Sequence, residues 1–198
     1  MVRIVGLLLA AGQGARFGGD KLLAPISTRS ANGSASAPLG AVAAGNLVDA
    51  IPGSIAIVRP RDALLAAHFT GAGLRVVTCM NAGDGMGATL ACGIAAAADA
   101  DGWVIALADM PWIAPATIRA IADAVGSGAD IVAPSYRGQR GHPVGFSRRH
   151  RDALASLTGD AGARWVIERH IDRLTWIDVD DDGVVRDVDT RADLDADR

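Results

Sequence analysis

The chain has 198 residues, half of them hydrophobic, with 19 basic and 22 acidic side chains and a net charge of −3. This length suits one α/β domain with a core that needs no staples, and the slightly acidic, dispersed charge leaves no electrostatic footprint for nucleic acid. Cys79 and Cys92 lack C-x-x-C spacing and paired histidines, and no signal-peptide or membrane-spanning run opens the chain, so a soluble, cytoplasmic protein with free thiols is expected.

Ile4 to Ala10 is short and apolar on both faces, the pattern of a central parallel strand covered by helices on either side. It runs into a loop in which Gly12, Gly14, Gly18 and Gly19 permit tight turns and bring bare N–H groups close to a ligand. Arg16 and Lys21 add a forked guanidinium and a point ammonium, so the loop suits polyphosphate. It is not a P-loop, because Lys21 is followed by Leu22 where that motif needs Ser or Thr. Nor is it the dinucleotide fingerprint, since Gly12, Gly14 and Gly18 are spaced G-x-G-x-x-x-G.

Ser27 to Ala37 is small, polar and low in complexity, and is expected to be a mobile loop. A helix follows from Pro38 through Ala50, then a strand over Ser54–Val58, a helix over Asp62–Phe69 capped by its aspartate, and a strand over Leu74–Thr78. Asn81 to Gly93 leaves that strand and opens an alanine-rich helix through Ala98. Its glycines allow close backbone approach. Thr89 can present a hydroxyl to a base or ribose, or spend it on its own helix. Trp103 to Ala108 is another buried strand, ended by Met110 and Pro111. Asp109 sits at its carboxyl end, where one carboxylate with triphosphate oxygens and waters makes an ordinary Mg²⁺ site.

A helix over Pro115–Val125 and a strand over Asp130–Pro134 come next, then a polar turn over Tyr136–Gly141 and a short strand over Pro143–Phe146. Asp160 and Gly162 are expected to open a helix carrying Arg164. The acidic run through Asp180, Asp181 and Asp182 reads as a solvated face or a hairpin turn. Thr190 with Asp193 approximates a capping box for a last helix.

LAAGQGARFGGDKLL resembles the signature loop of the nucleotidyltransferases with a Rossmann-like fold, and among them the MobA-like family that attaches a nucleotide to molybdopterin. Gly12, Arg16, Gly18 and Lys21 fall on that family's L-A-A/G-G-x-x-x-R-M/F-G-x-x-K, with Phe17 in place of the commoner methionine. The segments NAGDGMGATLACG, GWVIALADMPW, SYRGQRGHPVGFS and DVDTRADL are also similar to family segments, so the likeness spans nearly the whole chain.

The resemblance implies a three-layer α/β/α fold with a mostly parallel sheet in a single domain over residues 1–198. It implies nucleotide binding by Leu9, Ala10, Ala11, Gly12, Gly14, Arg16, Lys21, Gly83 and Thr89, with Arg16, Lys21 and Asp109 catalytic. Asp109 and Asp189 would hold Mg²⁺, and Arg140, Gly141 and His142 would meet an anionic pterin phosphate. The expected partners are a nucleoside triphosphate, a molybdopterin-type acceptor, and a molybdenum enzyme or its maturation chaperone, without nucleic acid or membrane. L-A-A-G at Leu9–Gly12 resembles the cytidylyltransferases, and the Ala11 methyl favours the smaller pyrimidine over guanine. Guanylyl transfer, cytidylyl transfer to a sugar or polyol phosphate, and a non-catalytic nucleotide-binding accessory role are the alternatives. A nicotinamide-dependent oxidoreductase would want an acidic residue where Val58, Arg59 and Pro60 stand.

Overall fold

A computed structural model describes residues 2–12, 17–30 and 33–194. The strand that begins the chain, β1 (Ile4–Leu9), lies between two parallel neighbours, β4 (Ile55–Val58) and β6 (Gly102–Leu107). Leu9 is level with Ile57 on one side and Leu107 on the other, so the three strands end at one edge. The sheet continues outward to β5 (Arg75–Thr78) beyond β4. Beyond β6, β9 (Val144–Ser147) runs antiparallel to both β6 and β7 (Ile131–Tyr136), and β10 (Leu174–Asp178) is parallel to β7. A two-residue strand, β8 (Gln139–Arg140), folds back on β7.

Both faces of the sheet are covered, as the unbroken apolar run of β1 requires. Leu8 joins a core beneath α1 (Leu39–Ala50) and α4 (Pro115–Gly126), together with α2 (Ala63–Gly71) at the side. Leu7 and Leu9 point the other way, into a core closed by α3 (Met86–Ala96), α5 (Arg151–Ala155) and α6 (Arg164–Arg169). The three-layer α/β/α reading of the sequence therefore holds, and the short strand read over Pro143–Phe146 is the antiparallel insert that makes the sheet mixed.

Four local expectations are corrected. Within the stretch expected as a mobile loop over Ser27–Ala37, the described residues are paired: β2 (Pro25–Ser30) runs antiparallel to β3 (Gly33–Pro38), with Ile26 opposite Ala37. Ladder hydrogen bonds pair the two backbones, and Ile26 anchors the ribbon against Phe17, Leu39 and Val188. Asp62 precedes α2 without capping it, because its carboxylate accepts from Arg59 Nε at 2.8 Å and Nη2 at 3.2 Å. Where a last helix was expected, the described residues form a 3-10 turn over Arg191–Leu194, and Asp193 reaches back to the Asp189 and Thr190 amides at 2.9 and 2.6 Å.

Asp181, expected on a solvated face, is the fourth. Its carboxylate accepts from the Ala114 amide at 2.9 Å and the Thr117 hydroxyl at 2.6 Å at the start of α4, and from the Gly183 amide at 3.1 Å. It thereby caps α4 from outside and ties the C-terminal segment to it. A side chain at Gly183 would collide with the Trp112 carbonyl, so the segment packs directly on the chain leaving β6. Replacing Asp181 with alanine strips partners from three donors at once. Equilibrium denaturation should show a loss on the order of 1–3 kcal/mol.

Candidate active site

The level ends of β4, β1 and β6 form one wall of a cavity of about 590 Å³. Three turns leaving the sheet line it: Ala10–Gly12 after β1, Arg59–Asp62 after β4, and Asp109 after β6. The loop after β5 adds Ala82 and Gly83, and Thr89 enters from the first turns of α3. A hydrogen bond from the Ala10 amide to Ile57 O at 3.0 Å and one from Ala108 to Leu9 O at 3.1 Å extend the ladder one residue past the strands. The turns that follow start at the edge where an open α/β sheet binds its ligands.

Lys21 stands in the cavity with its side chain only 12% exposed. Its ammonium donates to Asp109 Oδ2 at 2.8 Å and lies 3.7 Å from Asp189 Oδ1. Asp189 comes from the far end of the chain, and the Val188 amide donates to Asp109 O at 3.0 Å, which sets the two aspartates side by side. Two carboxylates that both reach one cation form a donor set suited to a hard dication completed by phosphate oxygens and water. The residues present therefore fit a hard dication such as Mg²⁺.

A second cavity of about 290 Å³ adjoins the first, sharing Leu9, Met86, Leu107 and Asp160. Leu90, Ile105, Val144 and Phe146 make it apolar, with Arg140 and His142 on its wall. The His142 imidazole is pushed down to about 4 by burial, aided by the Arg140 charge and opposed by Asp109. Its Nδ1 is buried without a hydrogen-bond partner. At neutral pH the ring is uncharged.

A family model described as "MobA-like NTP transferase domain" matches residues 6–174. The chain belongs to the MobA-like NTP transferase family. Among its relatives, the nicotine blue oxidoreductase of Paenarthrobacter nicotinovorans is 29% identical over 196 residues, covering 94% of this chain and 92% of that protein. The Rv0371c crystal structure from Mycobacterium tuberculosis is 29% identical with a TM-score of 0.77, covering 98% of this chain and 96% of that one. A manganese complex of Rv0371c aligns at 25% identity and a TM-score of 0.72, over 98% and 97% of the two chains. A nucleotidyl transferase from Methanothermobacter shares the fold with a TM-score of 0.80 at 21% identity, over 99% and 96%.

Of the residues that the sequence suggests for this MobA-like site, Leu9, Ala10, Ala11, Gly12, Lys21, Gly83, Thr89 and Asp109 line the first cavity. Gly14 and Arg16 lie outside the described residues. Thr89 donates its hydroxyl to Gly85 O at 3.2 Å, so the helix-internal use of that group is realised even as the residue faces the cavity. Arg140 and His142 belong to the second cavity, whereas Gly141 is on neither wall. It is packed where a Cβ would stand 2.5 Å from Val184 O. Asp160 is on the shared rim, but the helix after it is six residues long and begins only at Arg164.

Sequence reading missed Arg59, Arg61 and Asp62, which line the cavity beyond β4. Their signal was position, the carboxyl end of the strand beside β1, and it was read only for a missing acid. Gly12 and Gly83 differ from Gly85 and Gly87 in an informative way. A Cβ at either of the first two meets no described atom within 4 Å, whereas at Gly85 or Gly87 it would strike the backbone of Thr158–Gly159. Among the described residues, packing does not require glycine at Gly12 and Gly83, and both line the larger cavity. Gly12→Ala and Gly83→Ala should melt within a few degrees of the native protein yet lose affinity for nucleoside triphosphate by tenfold or more.

The histidine adds a pH dependence. A folded-state pKa below the unfolded value means that unfolding takes up a proton between about pH 4 and 6.5. Stability contributed by neutral His142 is thus complete above that window and is lost as pH falls through it. Denaturation series from pH 7 to 4.5 should show His142→Gln flattening this decline.

Proposed function

We propose that this family member transfers a nucleoside monophosphate, CMP from CTP, to the terminal phosphate of a molybdopterin-type acceptor and releases pyrophosphate. The observation that carries the reading is the meeting of Lys21, Asp109 and Asp189 at the end of β1 and β6, beside glycines that leave room for phosphate. The triphosphate lies in the larger cavity, its base near Ala11 and Gly83 and its phosphates toward Gly12 and Lys21. Arg16 adds a second cation from the signature loop. Asp109 and Asp189 would hold Mg²⁺, which supplies charge neutralisation at the transferring phosphoryl group.

The rest of the work is orientation. Backbone amides and Lys21 fix the α-phosphate for in-line attack and stabilise the charge that develops as pyrophosphate leaves. The attacking phosphate is already ionised, so no general base is required. The apolar cavity beside the site, walled by Arg140 and a neutral His142, suits a flat heterocycle bearing a phosphate. Guanylyl transfer is the nearest alternative; the Ala11 methyl in the base pocket supports the pyrimidine.

A molybdenum enzyme or its maturation chaperone would receive the product. The manganese bound by the Rv0371c structure, 25% identical to this chain, supports divalent-ion use. The measurement that decides the reading is Mg²⁺-dependent thermal stabilisation by each of the four nucleoside triphosphates, followed by pyrophosphate release with candidate acceptors. CTP should stabilise most; a larger effect of GTP moves the assignment to guanylyl transfer. Asp109→Asn should fold but lose most of the Mg²⁺ dependence of binding together with turnover.

A second reading has one specific support, the oxidoreductase name of the relative from Paenarthrobacter nicotinovorans together with Arg59 and Arg61 after β4. In doubly wound dinucleotide folds, an arginine at the corresponding strand end meets a ribose 2′-phosphate. Stabilisation by a reduced nicotinamide dinucleotide phosphate, with oxidation of it by a conjugated acceptor and no pyrophosphate release from any triphosphate, would favour this reading over transfer.

A further inference from the structure

We propose that Lys21 and the divalent ion are alternative occupants of one site. The ion then binds well only when a nucleotide is present to take over the displaced ammonium. This inference rests on the two-aspartate metal site proposed above and adds an order of events to it. The Lys21 ammonium is 2.8 Å from Asp109 Oδ2 and 3.7 Å from Asp189 Oδ1. Any ion ligated by both carboxylates would therefore meet a positive charge at contact distance, so the two cations exclude each other.

The charges favour exchange over coexistence. The Lys21 ammonium already offsets part of the negative charge that would draw an ion to Asp109 and Asp189. A dication arriving alone must expel an ammonium that has no replacement partner. Nucleotide phosphates supply that partner within the same cavity, which Gly12, Gly19 and Lys21 all line. The exchange needs only the side chain to swing. Lys21 starts a 3-10 turn whose Leu22 and Leu23 pack against the main core, and the Ala24 amide closes the turn on Lys21 O at 3.0 Å. The backbone stays while the four-carbon stem carries the charge from the aspartates to the phosphates. In the ligand-free protein the lysine keeps the two carboxylates together and keeps stray ions out.

Titration of the nucleotide-free protein with Mn²⁺, followed by the paramagnetic signal of the free ion, tests this without any turnover. Lys21→Met, or Lys21→Gln if the first folds poorly, should bind Mn²⁺ at least tenfold more tightly than the native protein. The gain should vanish in Lys21→Met with Asp109→Asn. Arg191→Met removes a cation that lies over the Phe17 ring rather than on the aspartates, and should change affinity by less than threefold. No gain in Lys21→Met, a gain that survives Asp109→Asn, or an equal gain in Arg191→Met would each overturn the proposal. If the exchange is found but no triphosphate releases pyrophosphate, the transferase reading fails alone.

Discussion

The constraint on which the molecule depends is that β1 is hydrogen-bonded along both edges and buried on both faces. Such a strand has no room for a polar side chain, so every group that does chemistry must wait until the chain leaves the sheet. Because β1, β4 and β6 end level, their exits converge on one edge. Ala11 and Gly12, Arg59, and Asp109 follow from that single alignment. The site is a property of strand register before it is a property of any loop.

The second organising feature is the return of the C-terminal segment. Val184 and Val188 are fully buried, Gly183 lies flat on Trp112, and Arg186 stacks its guanidinium 4.3 Å from the Trp112 ring centroid. The segment is thus pinned by packing just beyond Asp181, and the Val188 amide bonds to Asp109 O. Asp189 arrives beside Asp109 as a consequence. Two like charges so placed would repel, and Lys21 makes the arrangement favourable in the absence of ligand.

The two adjoining cavities divide the chemistry by polarity. One is walled by backbone turns and charged groups, the other by Leu90, Ile105, Val144 and Phe146, with a histidine that burial keeps neutral. Glycine serves both, for different reasons. At Gly85, with φ of 115°, and at Gly87, it lets α3 begin against Thr158–Gly159. Gly12 and Gly83 line the larger cavity, where a Cβ would meet no described atom within 4 Å.

Sequence by itself determined the layered α/β class, because an apolar run such as Ile4–Leu9 is stable only when covered on both faces, and most strands and helices were legible from the same periodicity. Asp109 was legible as the charged residue just past a buried strand, which places it at that strand's exit, and Lys21 as a cation of the glycine-rich loop that follows β1. Periodicity does not encode partners, however. That Val144–Ser147 inserts antiparallel, and that Asp181 caps a helix more than sixty positions away in the chain, depend on segments meeting across the fold. The same holds for Lys21 lying between Asp109 and Asp189, and for Arg59 and Arg61 on the cavity wall. Those placements were decided by tertiary structure alone, because a side chain's electrostatic neighbours are set by long-range packing rather than by its neighbours in sequence.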